Sequence, residues 1–127
     1  MSRLYESEAE IEEVVRGFET CATGKTDFHH REHLTVTVWY LQTLSRAEVV
    51  ERMRVGLLRF LEHHGVDVGK YSKEVTVFWV DAVASRLEEL GLATPLVEQV
   101  NQVVLSFNST TRKPASRVEA EESPAKS

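Results

Sequence analysis

Apolar residues recur at three- and four-residue spacing along most of the chain, the pattern of amphipathic helices advancing about 100° per residue. Ser7-Glu8-Ala9-Glu10 has the spacing of a capping box, and Ile11, Val14, Val15, Phe18 and Ala22 follow on one face with Cys21 beside them, up to Gly24. A second helix is predicted from Phe28 to Leu44 with Asp27 as its cap and His30, Leu34, Thr37, Leu41 and Leu44 as its inward line. Ser45-Arg46-Ala47-Glu48 is another capping box. It opens a third helix whose stripe is Val50, Met53, Leu57, Phe60 and Leu61, extended by His64 and stopped at Gly65.

The stretch from Val66 to Lys70 reads as a loop, and Ser72 caps a fourth helix that ends before Gly91 and turns Thr76, Trp79, Val83, Leu87 and Leu90 one way. Thr94-Pro95 signals a fifth, because proline at the first helical position gives up a donor that has no helical partner there. Leu96, Val97, Val100, Val103, Val104 and Phe107 give it an apolar face. A strand through Val103-Val104-Leu105 is the competing reading, and the spacing from Leu96 onward favours the helix. Residues 108 to 127 hold two prolines, mixed charges and almost no apolar side chain, the composition of a disordered tail. The expected fold is an all-α antiparallel bundle of about five helices over residues 1–107, followed by that tail.

Composition narrows the function. At 127 residues the chain suits one domain with a sizeable core. A net charge of -5 and the lack of a basic face argue against nucleic-acid and anionic-membrane partners. The single Cys21 cannot form an internal disulfide, and the start of the chain leads into acidic residues rather than an apolar signal core. No apolar run approaches membrane-spanning length. The cytoplasm is the expected compartment.

The chemistry concentrates in Phe28-His29-His30-Arg31-Glu32-His33-Leu34. His30 lies at the centre of the second helix's apolar line and His33 about 60° to one side, so both point inward. A buried imidazole without a partner costs roughly 1–3 kcal/mol, so each needs a hydrogen bond, a counter-charge or a metal. With consecutive helices antiparallel, Cys21, His30, His33, Thr37, His64, Ser72 and Thr76 share one end of the bundle. His30, His33 and His64 would then make a three-histidine site for a divalent metal such as zinc, with an open position for water. Without a metal, His30 or His33 suits general acid–base work near neutral pH. No acidic residue shares that face, which leaves a carboxylate-bridged metal pair without support.

Blander readings stand beside these. His64 serves equally as a helix-terminal residue, Ser72 as a cap and Cys21 as a small buried apolar residue, while His29 and His63 fall near the surface. Trp39 lies about 180° from His30, with Glu32 and Thr35 as companions. That placement predicts an outer-face tryptophan, which suggests either a contact with the fifth helix or a subunit interface, the latter as a homodimer.

Phe18-Glu19-Thr20-Cys21-Ala22, then His30-Arg31-Glu32-His33-Leu34 with Trp39-Tyr40 after it, then Gly69-Lys70-Tyr71-Ser72 leading to Thr76, together resemble a family of small bacterial proteins of mostly unassigned function. That family carries F-E-x-C-T, H-x-x-H-L and Y-H-E-T-x-T motifs. The resemblance spans roughly Glu12 to Val83. His30, His33, Tyr71 and Thr76 match its motif positions, and if the family's three histidines form a metal or proton-transfer site, this chain lacks one of them or uses His64 instead. The chain departs from the third motif by carrying Ser72 in place of histidine, Lys73 in place of glutamate and Glu74 in place of the first threonine. The expectation is a helical protein with a polar pocket of His30, His33, Thr37, Tyr71, Ser72 and Thr76 that binds a metal or small molecule, as an enzyme or as a binding protein. The alternative is an interaction or oligomerisation module with structural histidines.

Overall fold

A computed structural model describes residues 4–24, 26–91 and 93–107. The predicted 108–127 tail lies outside them. Five helices follow one another: α1 (Glu8–Glu19), α2 (His30–Leu41), α3 (Arg46–His63), α4 (Lys73–Leu90) and α5 (Leu96–Phe107), with a short 3-10 turn at Val68–Lys70 before α4. No strand occurs among the described residues, and the β-branched run at Val103 is helical. None of these helices is long and apolar enough to cross a membrane.

The helix starts follow the capping chemistry. Ser7 Oγ accepts from Glu10 N, Ser45 Oγ accepts from Glu48 N while the Glu48 carboxylate accepts from Ser45 N, and Ser72 Oγ accepts from Val75 N. The start of α2 differs from the sequence reading. Its cap is His29 rather than Asp27, because the Glu32 carboxylate reaches back to His29 N at 2.9 Å. Phe28 is thereby left before the helix, where its ring stacks on Phe18 with centroids 4.9 Å apart. α5 begins one residue later than predicted, with the Pro95 carbonyl accepting its first bond from Gln99 N. α1 ends earlier than Gly24 implies. Cys21 adopts a left-handed φ of 61° just past the helix and leaves Ala22 exposed.

α2 is the central element and packs against each of the other four helices. Its buried residues, Leu34, Thr35, Val36, Thr37, Val38 and Tyr40, run round the whole cylinder, as expected of a helix enclosed on every side. Val36 and Tyr40 join Phe18, Val49, Met53 and Phe60 in one hydrophobic cluster. Leu34 and Val38 join Ile11, Val83, Val100 and Val103 in another. Trp39 is half-buried and packs against both clusters, the second of which includes Val100, Val103 and Val104 of α5, so the face expected to lie outermost is covered and agrees with the fifth-helix reading. Thr35, its supposed surface companion, is fully buried and hydrogen-bonds the hydroxyl of Tyr5 at 3.0 Å. The segment before α1 covers that face. Tyr5 is fastened there by Asn101, whose side chain bonds both its N–H and its carbonyl, and the Arg31 guanidinium lies 4.2 Å from its ring centroid.

α3 and α4 run antiparallel, with Arg46 at the start of α3 bridging to Asp81 and Glu88 in the later part of α4. The buried line of α3 is Val49, Met53, Gly56 and Phe60, turned by one residue from the predicted Val50, Leu57 and Leu61. Gly56 draws that face inward. A Cβ there would stand 2.7 Å from the Phe18 ring, so only glycine lets α3 approach α1 this closely.

Candidate functional site

The first turns of α2 and α4 meet at α3 around a cavity of about 20 Å³. His30, His33 and Thr37 reach it from α2, Thr76 and Trp79 from α4, and Met53 from α3. Leu34, Val75 and Val80 complete walls that are mostly apolar. A space of this size holds about one water molecule or one ion. Four of the sequence-predicted residues are therefore brought together: His30, His33, Thr37 and Thr76.

Both threonine hydroxyls have defined donor roles. Thr37 Oγ1 donates to the His33 carbonyl at 2.8 Å, and Thr76 Oγ1 donates to the Ser72 carbonyl at 3.1 Å. With their protons committed to the preceding turn, both hydroxyls retain lone pairs and can act as acceptors. Burial pushes His33 down to about 4, with the neighbouring His30 adding to the effect. At neutral pH His33 is thus uncharged, with one ring nitrogen a donor and the other an acceptor or ligand. The His30 ring meets Trp79 edge-on at 4.6 Å between centroids, and the Phe28 ring meets His33 edge-on at 5.5 Å.

The other predicted site residues lie elsewhere. His64 is the C-cap of α3, its ring packed on Phe60 at 4.5 Å and on His63 at 4.9 Å. From Met53 to His64 the helix advances eleven residues, about 16 Å at 1.5 Å per residue. The rings of Phe60 and Phe28, 5.1 Å apart, form the contact chain between His64 and His33. The predicted His30, His33 and His64 set is not assembled. Among the described residues no three histidine, cysteine or acidic side chains are grouped to hold a metal ion.

Ser72 caps α4 and does not line the cavity. Tyr71 is not a wall either, and its hydroxyl is buried without a hydrogen-bond partner among the described residues. Cys21 belongs to the hydrophobic cluster, with its thiol 3.9 Å from the Arg59 carbonyl. His29 and His63 are exposed, as expected.

Five walls were not anticipated as site residues: the aliphatic Leu34, Val75 and Val80, and the larger Trp79 and Met53. Trp79 falls one turn after Thr76 on the same predicted stripe, so its place was implicit in the spacing. Met53 reads only as core, and its proximity to the histidines depends on how α3 slides along α2. Comparison of the chain with models of known protein families, with curated proteins and with solved structures finds no match.

Proposed function

We propose that this protein binds a single metal ion or comparably small ligand in the cavity between α2, α3 and α4, with His30 and His33 as its principal ligands. The observation that carries this reading is the convergence of His30, His33, Thr37 and Thr76 on one cavity of about 20 Å³ otherwise walled by apolar atoms. Such a void does not accommodate an organic molecule of ordinary size without rearrangement, which favours an ion or a very small molecule. Thr37 and Thr76 supply acceptor oxygens, and Trp79 forms one wall of the space. The resemblance noted above agrees in part. His30, His33 and Thr76 are motif positions, and Ser72, where the resembled family has histidine, is a cap outside the cavity, so that departure leaves these walls intact. The cytoplasm remains the compartment proposed, since a lone buried cysteine suits a reducing environment.

The test is elemental analysis of untagged protein purified without chelators, with and without zinc, iron and copper supplementation, beside a His30→Ala/His33→Ala variant. Stoichiometric metal in the parent that is lost from a folded variant supports the reading. Metal retained in that variant overturns it. If neither sample holds metal and native mass spectrometry shows no small ligand, the histidines are structural and the rival, a helical interaction module, takes precedence.

A further inference from the structure

We infer that the cavity ion is a soft monovalent metal, Cu(I), held by the imidazoles of His30 and His33 together with the thioether of Met53. This rests on the pocket reading above and identifies its ligand.

Three observations converge on it. The two imidazoles are three residues apart on α2, and Met53 is a fully buried residue of α3 that lines the same cavity. A thioether is a soft ligand that selects Cu(I), and imidazole also suits copper. Second, no carboxylate or thiolate lines the cavity, so every ligand is neutral. Solvation energy scales with the square of charge, so amid Leu34, Val80 and Trp79 and with two imidazoles rather than three a monocation costs far less to bury than a dication. Third, the space of about 20 Å³ suits an ion that has shed its water, as low-coordinate Cu(I) does.

The experiment uses the full, untagged chain with ¹³C-labelled methionine methyl groups, titrated anaerobically with Cu(I) against a chromophoric chelator, and separately with Ag(I), its redox-inert analogue. The chain has two methionines, Met1 and Met53, so the methyl spectrum holds two signals. The expected result is one equivalent bound, with the Met53 methyl displaced and that of Met1 unmoved. Met53→Leu, a swap of nearly equal volume, weakens binding at least about tenfold. Cys21→Ser leaves it unchanged, which excludes the thiol as the ligand.

An unmoved Met53 methyl with equal affinity in Met53→Leu overturns the thioether ligand and leaves the histidine pocket standing. Binding of Zn(II) but of neither Cu(I) nor Ag(I) does the same. Failure to bind any of the three overturns the inference. Undiminished Cu(I) binding by a folded His30→Ala/His33→Ala variant overturns both the inference and the pocket on which it rests.

Discussion

The imidazole of His30 meets the indole of Trp79 edge-on, with centroids 4.6 Å apart, which couples the first turn of α2 to α4 at the wall of the cavity. Trp79 also contacts Phe78 at 5.0 Å and Phe107 at 5.6 Å, so one side chain joins α2, α4 and α5. Trp79→Ala is expected to destabilise the protein by about 2–4 kcal/mol, somewhat less than for a fully buried tryptophan because the ring is only half-buried. Trp79→Phe should recover more than half of that loss. Urea unfolding of both variants checks it, and equal midpoints for Trp79→Ala and the parent would contradict the placement.

Gly56→Ala sets two effects against each other. Alanine favours a helix interior by about 1 kcal/mol, yet its Cβ would stand 2.7 Å from a Phe18 ring that is itself fully buried between Phe28 and Phe60. The ring has nowhere to move, so overpacking wins. A net loss of about 1–3 kcal/mol is expected. A raised melting temperature would show that α1 and α3 are not held this close.

His33 makes stability depend on pH in a definite direction. Its ordinary value is 6.5 and burial lowers it to about 4 in the folded protein, so below pH 6.5 the unfolded chain takes up a proton that the folded chain refuses. Stability from this group is full above pH 6.5, falls as pH drops towards 4, and changes little below that. Between pH 7 and 4.5 the expected loss is about 2–3 kcal/mol. Urea unfolding at the two pH values should show that difference in the metal-free parent and a smaller one in His33→Gln. Equal pH dependence in both would assign the effect to other groups.

Asn101→Ala should release the segment before α1. The Asn101 side chain makes two bonds to the Tyr5 backbone, at 2.9 and 3.0 Å, and each part-buried bond contributes about 0.5–1.5 kcal/mol. A loss of about 1–2 kcal/mol is expected, with faster hydrogen exchange at the Tyr5 amide. The cavity residues lie elsewhere, so the metal binding proposed there should not change. Unaltered exchange at Tyr5 would mean that ring packing alone holds the segment.

Much of the candidate site was legible because it needs only short-range geometry. His30, His33 and Thr37 fall on one side of α2 by spacing, and Thr76 falls on the inward stripe of α4, so their convergence follows once the two helices pack against each other. His64 failed for a reason spacing does not contain. α3 has 18 residues against 12 in α2, and its last turns run past the level of the histidines. An antiparallel connection says which ends are neighbours only when the helices are of similar length.

The local chain decided the five helices, their caps at Ser7, Ser45 and Ser72, and the left-handed stop at Gly65, because backbone hydrogen bonding and one-turn periodicity act over about four residues. Tertiary packing decided how many sides of each helix are covered and at what level along their axes the helices meet. It enclosed α2 on every side, burying Thr35 and half of Trp39, because the other four helices and the Tyr5 segment surround it. It also set Met53 against the histidines and withheld His64. Periodicity defines a face relative to a helix's own axis, whereas the identity of the opposing side chain depends on the rotation and sliding that let close-packed cores exclude voids.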